Sequence, residues 1–128
     1  MLNALPRPLN HYQHGYCYIY AIALAIVFDK GITLVWDTEA MDEDMTLLGE
    51  DCLVHAYVTK DDVYALDAGG RHDCITSMIS TYPCNKARTE IVSLTRMYRI
   101  IKHKGWDVPT DDELDRIISR INQQYPKE

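Results

Sequence analysis

Tyr16-Cys17-Tyr18-Ile19-Tyr20-Ala21-Ile22-Ala23-Leu24-Ala25-Ile26-Val27-Phe28 follows directly on the polar and small string Asn10-His11-Tyr12-Gln13-His14-Gly15. The run is apolar almost all round, which predicts a central helix buried on most sides rather than an amphipathic surface helix. Cys17 then falls in its first turn. Unpaired amides at a helix start carry about half a positive charge and favour an anion there. The thiol therefore stands where a thiolate forms most easily. Asp29-Lys30-Gly31 should close the helix, with glycine in the left-handed position beyond its end.

Working outward, Leu2 to Leu9 carries Pro6 and Pro8 and should be an extended lead-in. Ile32 to Trp36 is β-branched and apolar, the pattern of a strand. Residues 37–51 hold seven carboxylates (Asp37, Glu39, Asp42, Glu43, Asp44, Glu50 and Asp51) and should form a mobile acidic loop with at most one helical turn. Cys52 to Val58 and Val63 to Ala68 flank a short polar turn and predict a β-hairpin stopped by Gly69-Gly70. A short helix over Asp73–Tyr82 should end at Pro83, and a strand at Thr89–Leu94 should precede a helix at Arg96–His103 closed by Gly105. The last two also suit one continuous helix. Pro109-Thr110-Asp111-Asp112-Glu113 reads as a capping box. Leu114, Ile117, Ile118 and Ile121 then share one face of a helix to about Gln124. The expected fold is α+β: a buried N-terminal helix carrying the cysteine, packed on a small antiparallel sheet with C-terminal helices, in one domain spanning residues 1–128.

The chemistry follows from where three side chains fall. A thiol of reference pKa about 8.5 is only a few per cent thiolate at neutral pH, so it needs a base as well as a helix terminus. His55 and Asp67 lie on the two strands of the predicted hairpin. With Lys60-Asp61-Asp62 as a three-residue loop, Thr59 faces Val63 and His55 directly faces Asp67, their Cβ atoms about 5 Å apart. A register shifted by one residue would put the two on opposite faces. Asp67 would fix one imidazole nitrogen and leave the other to Cys17. The Cys17 amide is a candidate donor to a developing oxyanion, with a second donor from Asn10, Gln13 or His14; Gln13 is the choice, and Gly15 permits close backbone approach. The candidate catalytic residues are thus Cys17, His55 and Asp67, with Gln13, His14 and Gly15 lining the oxyanion or substrate site.

Cysteine, histidine and aspartate in this order and setting resemble the papain-like and transglutaminase-like superfamily of cysteine enzymes. There a helix presents the cysteine at its N-terminus against an antiparallel sheet, and successive strands supply the histidine and the acid. The resemblance covers residues 10–70 and implies Cys17 as nucleophile, His55 as base and Asp67 as orienting acid. Papain-type peptidases carry glutamine six residues before the cysteine, where this chain has His11. Compact effector and phage proteins of this fold cleave, deamidate or transfer acyl groups on host proteins. The resemblance therefore implies hydrolase, deamidase or acyltransferase chemistry on a protein or peptide substrate, with no cofactor.

The remaining features narrow the field. With 47% hydrophobic and 25% charged residues the chain is globular in composition. A formal net charge of −6 argues against nucleic acid as a partner. The basic stretch of Lys86, Arg88, Arg96, Arg99, Lys102, His103 and Lys104 should mainly balance the acidic segment. The apolar run is too short for a bilayer, which takes roughly 20 residues. No apolar stretch follows Arg7 as in an export signal, so a cytoplasmic location (of a host cell, for an effector) and free thiols are expected. His11-x-x-His14-x-x-Cys17 with Cys52-x-x-His55 offers more nitrogen and sulfur ligands than zinc requires, but fits no standard ligand pattern, and no metal is expected. The competing expectation is a non-catalytic binding protein of the same fold.

Overall fold

The computed structural model describes residues 5–60 and 63–126. Helix α1 (Leu9–Gln13) turns at Gly15 into α2 (Cys17–Phe28). Strands β1 (Ile32–Asp37), β2 (Cys52–Lys60), β3 (Tyr64–Asp67) and β4 (Gly70–His72) follow, then α3 (Ile75–Ser80), β5 (Ala87–Val92), α4 (Leu94–Lys104) and α5 (Asp111–Gln124). The strands form one five-stranded antiparallel sheet in the order β4-β3-β2-β1-β5. The fold is α+β, with α2 in the middle of it.

Every residue of α2 from Cys17 to Ala25 is buried. Ile19, Ile22 and Leu24 join Leu34 of β1, Ala56 and Val58 of β2, Leu66 of β3, Met97 and Ile101 of α4, and Ile117 and Ile121 of α5 in one core. An all-apolar helix needs neighbours on every side, and the sheet together with α4 and α5 supplies them. A smaller core lies on the other face of the sheet, where Val35, Tyr57, Ala65 and Met78 pack with Ile75 and Ile79 of α3 and with Tyr82. Alternation along β2 and β3 thus turns Ala56, Val58 and Leu66 toward α2. His55, Tyr57, Ala65 and Asp67 face the α3 side.

Several expectations change. Pro6 and Pro8 do not keep the lead-in extended as far as Leu9, because Pro8 stands at the N-cap of α1; proline tolerates a helix start. Asp29, not Gly31, adopts the left-handed conformation after α2, with φ +52°. Gly31 serves close approach instead, since a Cβ there would meet Ile91 Cγ2 at 2.8 Å. Residues 37–51 contain no helical turn and are tied by a Met41–Leu47 bridge and by Asp42 accepting the amides of Asp44 and Thr46. β5 and α4 are separate elements, with Ser93 capping α4. Thr110 accepts the Glu113 amide as the capping box requires, but the Glu113 carboxylate turns away to take Arg7 Nε at 2.7 Å and the Tyr12 hydroxyl at 2.6 Å.

The hairpin register also differs. Val58 faces Leu66, Thr59 faces Ala65 and Lys60 faces Tyr64; Asp61 and Asp62 of the expected loop lie outside the described residues. His55 and Asp67 are therefore diagonal rather than opposite neighbours. The shift is by two residues, so both keep the same face. Diagonal positions lie within reach of long side chains. Gly69-Gly70 does not stop the hairpin but turns it, pairing Asp67 with Gly70 and Ala65 with His72. The basic stretch is partly neutralised: Lys86 meets Glu39, Arg88 meets Asp51 and Lys104 meets Glu50. All four cysteines are free. Among the described residues no helix is long and apolar enough to cross a membrane.

Candidate functional site

The described pairing of β2 with β3 runs from Val58–Leu66 to Lys60–Tyr64. His55 and Asp67 lie beyond its end. A bulge in β2, where Val35 pairs with His55 but Trp36 with Leu53, precedes His55; such insertions re-aim side chains. His55 Nε2 donates to Asp67 Oδ2 at 2.8 Å, and both residues are at most 4% exposed. Asp67 Oδ1 accepts a second imidazole, His72 Nε2, at 2.8 Å and the Gly69 amide at 2.8 Å. Burial works against ionisation of Asp67, yet the hydrogen bonds and charge of His55 and His72 hold its carboxyl below the usual range. An ionised Asp67 can only accept, so each imidazole carries its proton on Nε2. The second nitrogen of His55, Nδ1, is buried without a hydrogen-bond partner.

Cys17 begins α2 at 3% exposure. No side chain caps that helix start, which leaves its first amides available to an anion. Burial pushes the Cys17 thiol up to about 12. The amides of Ala56, Tyr18 and Cys17 itself pull it down, and the Asp67 charge adds to the rise. Ala56 follows His55 on β2, so the sulfur sits against the strand at the residue after the histidine, whose side chain the alternation turns to the other face. The thiol does not donate to His55 Nδ1 in this state. The expected imidazole–sulfur hydrogen bond is therefore not formed. Catalytic hydrogen bonds are often unformed before substrate binds.

The segment before Cys17 crosses the same region. Gly15 has φ +94°, and a Cβ there would touch nothing, so glycine serves the backbone conformation of the α1–α2 corner. The Gln13 amide nitrogen lies beside Gly69, close to Asp67 Oδ1 and His72 Nε2. It is therefore a neighbour of the carboxylate. The exposed His14 ring packs on Tyr82, centroids 5.5 Å apart. Tyr82 in turn stacks on His55 at 4.2 Å and 19° between planes. Burial raises its hydroxyl to about 12, with Asp67 and Cys17 adding to the rise.

Two clefts meet here. One of about 570 Å³ is lined by Cys17, Tyr16, Tyr18 and Trp106, with Glu50 and Asp51 on its rim. The other, of about 470 Å³, is lined by His14, Tyr82, Met41 and Leu48. Both include Gly15, Cys52 and Leu53. The acidic segment therefore forms part of both walls.

His72 and Tyr82 escape the sequence argument. Asp67 and His72 flank Gly69-Gly70, and reading that pair as a tight turn would have brought His72 back to β3. Nothing in the sequence marks Tyr82. His72 and Cys74 go separate ways: His72 joins Asp67, while Cys74 accepts the Ser77 hydroxyl at 3.2 Å. The His11, His14, Cys17, Cys52 and His55 strings are not drawn together, and among the described residues no three His, Cys, Asp or Glu side chains are grouped to hold a metal ion. Comparison with family models, curated proteins and solved structures returned no match.

Proposed function

We propose that the protein is a cysteine-dependent acyl-transfer enzyme of papain-like or transglutaminase-like type, acting on a protein or peptide in the cytoplasm. The observation that carries this reading is the buried His55–Asp67 pair, which holds the imidazole through Nε2 and leaves Nδ1 without a partner, on a strand whose next residue, Ala56, packs against a cysteine at an uncapped helix start. In the reaction, Cys17 Sγ attacks a carbonyl carbon while its proton passes to His55 Nδ1. The amides of Cys17 and Tyr18 are donors for the oxyanion. Collapse breaks the C–N bond, and the leaving amine takes the proton from His55. Water or an amine then attacks the thioester, giving hydrolysis, deamidation or transfer. A chain laid across Gly15 and Leu53 would occupy both clefts.

The resting thiol is protonated and buried, so the reaction requires a movement that brings Nδ1 to sulfur. A peptidyl electrophile tests this: intact-mass analysis should show one adduct, on Cys17, absent from Cys17→Ala. The second reading, a non-catalytic binding protein, draws on the burial of Cys17 and its missing bond to His55. It requires that Cys17→Ala retain every effect of the wild type.

A further inference from the structure

We propose that His72 is a positioning residue for the Cys17–His55–Asp67 site: its imidazole locks the Asp67 carboxylate in the orientation that holds His55 in its Nε2–H form. This rests on the functional reading above for its consequence in turnover, but not for its structural content.

Asp67 accepts from three donors, and they divide between its oxygens. His55 occupies Oδ2; His72 and the Gly69 amide occupy Oδ1. Rotating the carboxylate would break bonds on both sides at once. A carboxylate held only by a turn amide has no such lock. The β3–β4 turn is built for the contact, since pairing of Ala65 with His72 and of Asp67 with Gly70 returns the imidazole over the carboxylate. Gly69 leaves room for it. A Cβ at that position would lie 3.2 Å from Asp67 Oδ1, 3.3 Å from Gln13 Nε2 and 3.5 Å from His72 Nε2. Three polar atoms thus converge over a residue without a side chain.

The two histidines are not equivalent. His55 is 1% exposed, whereas the His72 side chain is 32% exposed. A partly solvated surface imidazole contributes little packing, and one whose proton points inward to a buried carboxylate is oriented for that contact. His72 lines neither of the two clefts; it acts through Asp67. By the same geometry, a donor without an imidazole should serve. The amide nitrogen of glutamine occupies the same Nε2 position and donates without changing charge.

The test compares wild type, His72→Leu and His72→Gln. Nitrogen–proton correlation spectra of His55 should show a single Nε2–H tautomer in wild type and His72→Gln, and a mixture in His72→Leu. The rate of Cys17 acylation at saturating peptidyl substrate should fall about tenfold in His72→Leu, the scale on which outer partners of a functional ligand act. KM should stay within twofold, and His72→Gln should recover most of the rate. Thermal melts report whether each variant is folded. A single Nε2–H tautomer in folded His72→Leu overturns the proposal, as does a folded His72→Gln that behaves like His72→Leu. If no variant acylates Cys17 but the tautomer change appears, the positioning role stands and the enzymatic reading fails.

Discussion

Asp67 and Glu113 are both buried carboxylates held below their usual range, and they differ in their partners. Glu113 takes Arg7 Nε and the Tyr12 hydroxyl. Burial opposes its ionisation, and hydrogen bonds from Arg7 and Tyr12 outweigh that effect. Arginine stays cationic at any accessible pH and gives nothing to proton transfer. That node ties the lead-in segment and α1 to the first turn of α5. Asp67 instead takes two histidines and a turn amide. Histidine changes protonation near physiological pH and has a second nitrogen to offer. A clamp and a candidate catalytic dyad are thus told apart by what the carboxylate faces, not by how deeply it lies.

The largest expected effect separates the two by rate. Asp67→Ala should slow acylation of Cys17 by roughly three to four orders of magnitude, as loss of the orienting acid does in a serine triad. Glu113→Ala should leave the rate per folded molecule within about twofold, because Glu113 touches none of the reacting groups. Equal losses would erase the distinction. Stability should sort the other way in clarity of cause. Glu113→Ala strands a guanidinium and a buried hydroxyl and should lower the unfolding free energy by about 3 kcal/mol, read from the denaturant midpoint.

Acid sharpens the comparison further. Both carboxyls have folded values below their unfolded ones, near 4 for model carboxylates. Their stabilisation is therefore complete above about pH 4 and is lost as pH falls through the folded values. Stability measured from pH 5 to pH 2 should fall less steeply in Asp67→Asn and in Glu113→Gln than in wild type. The smallest effect belongs to an exposed pair. Arg71 and Asp73 meet at 2.6 Å with side chains 54% and 80% exposed, and Asp73→Ala should change stability by less than about 0.5 kcal/mol.

The helix that organises the molecule was legible because nothing but burial accounts for an unbroken apolar run from Tyr18 to Phe28. His55 and Asp67 are legible as a pair because parity survives a shift of two residues, although the register itself differs from the expected one. A loop without glycine gives no turn type from which to count. His72 stays hidden because Gly69-Gly70 reads as a stop, when the same dipeptide supports a reversal. Asp29 and Glu113 show tertiary context overriding local rules: Asp29 takes the left-handed position because Gly31 is needed against β5, and Glu113 leaves its cap for a stronger partner. Tyr82 owes its place to packing between distant segments, which no local pattern encodes.

Reactivity of Cys17 against Cys74 tests the central claim most directly. Cys74 is exposed, and the Ser77 hydrogen bond lowers its thiol, so unassisted chemistry favours it over a buried thiol pushed up to about 12. With a substrate-like peptidyl electrophile at neutral pH, mass spectrometry should find Cys17 modified ahead of Cys74 in the wild type and spared in His55→Ala. Modification of Cys74 alone in the wild type, or of Cys17 at an unchanged rate in His55→Ala, would contradict the account.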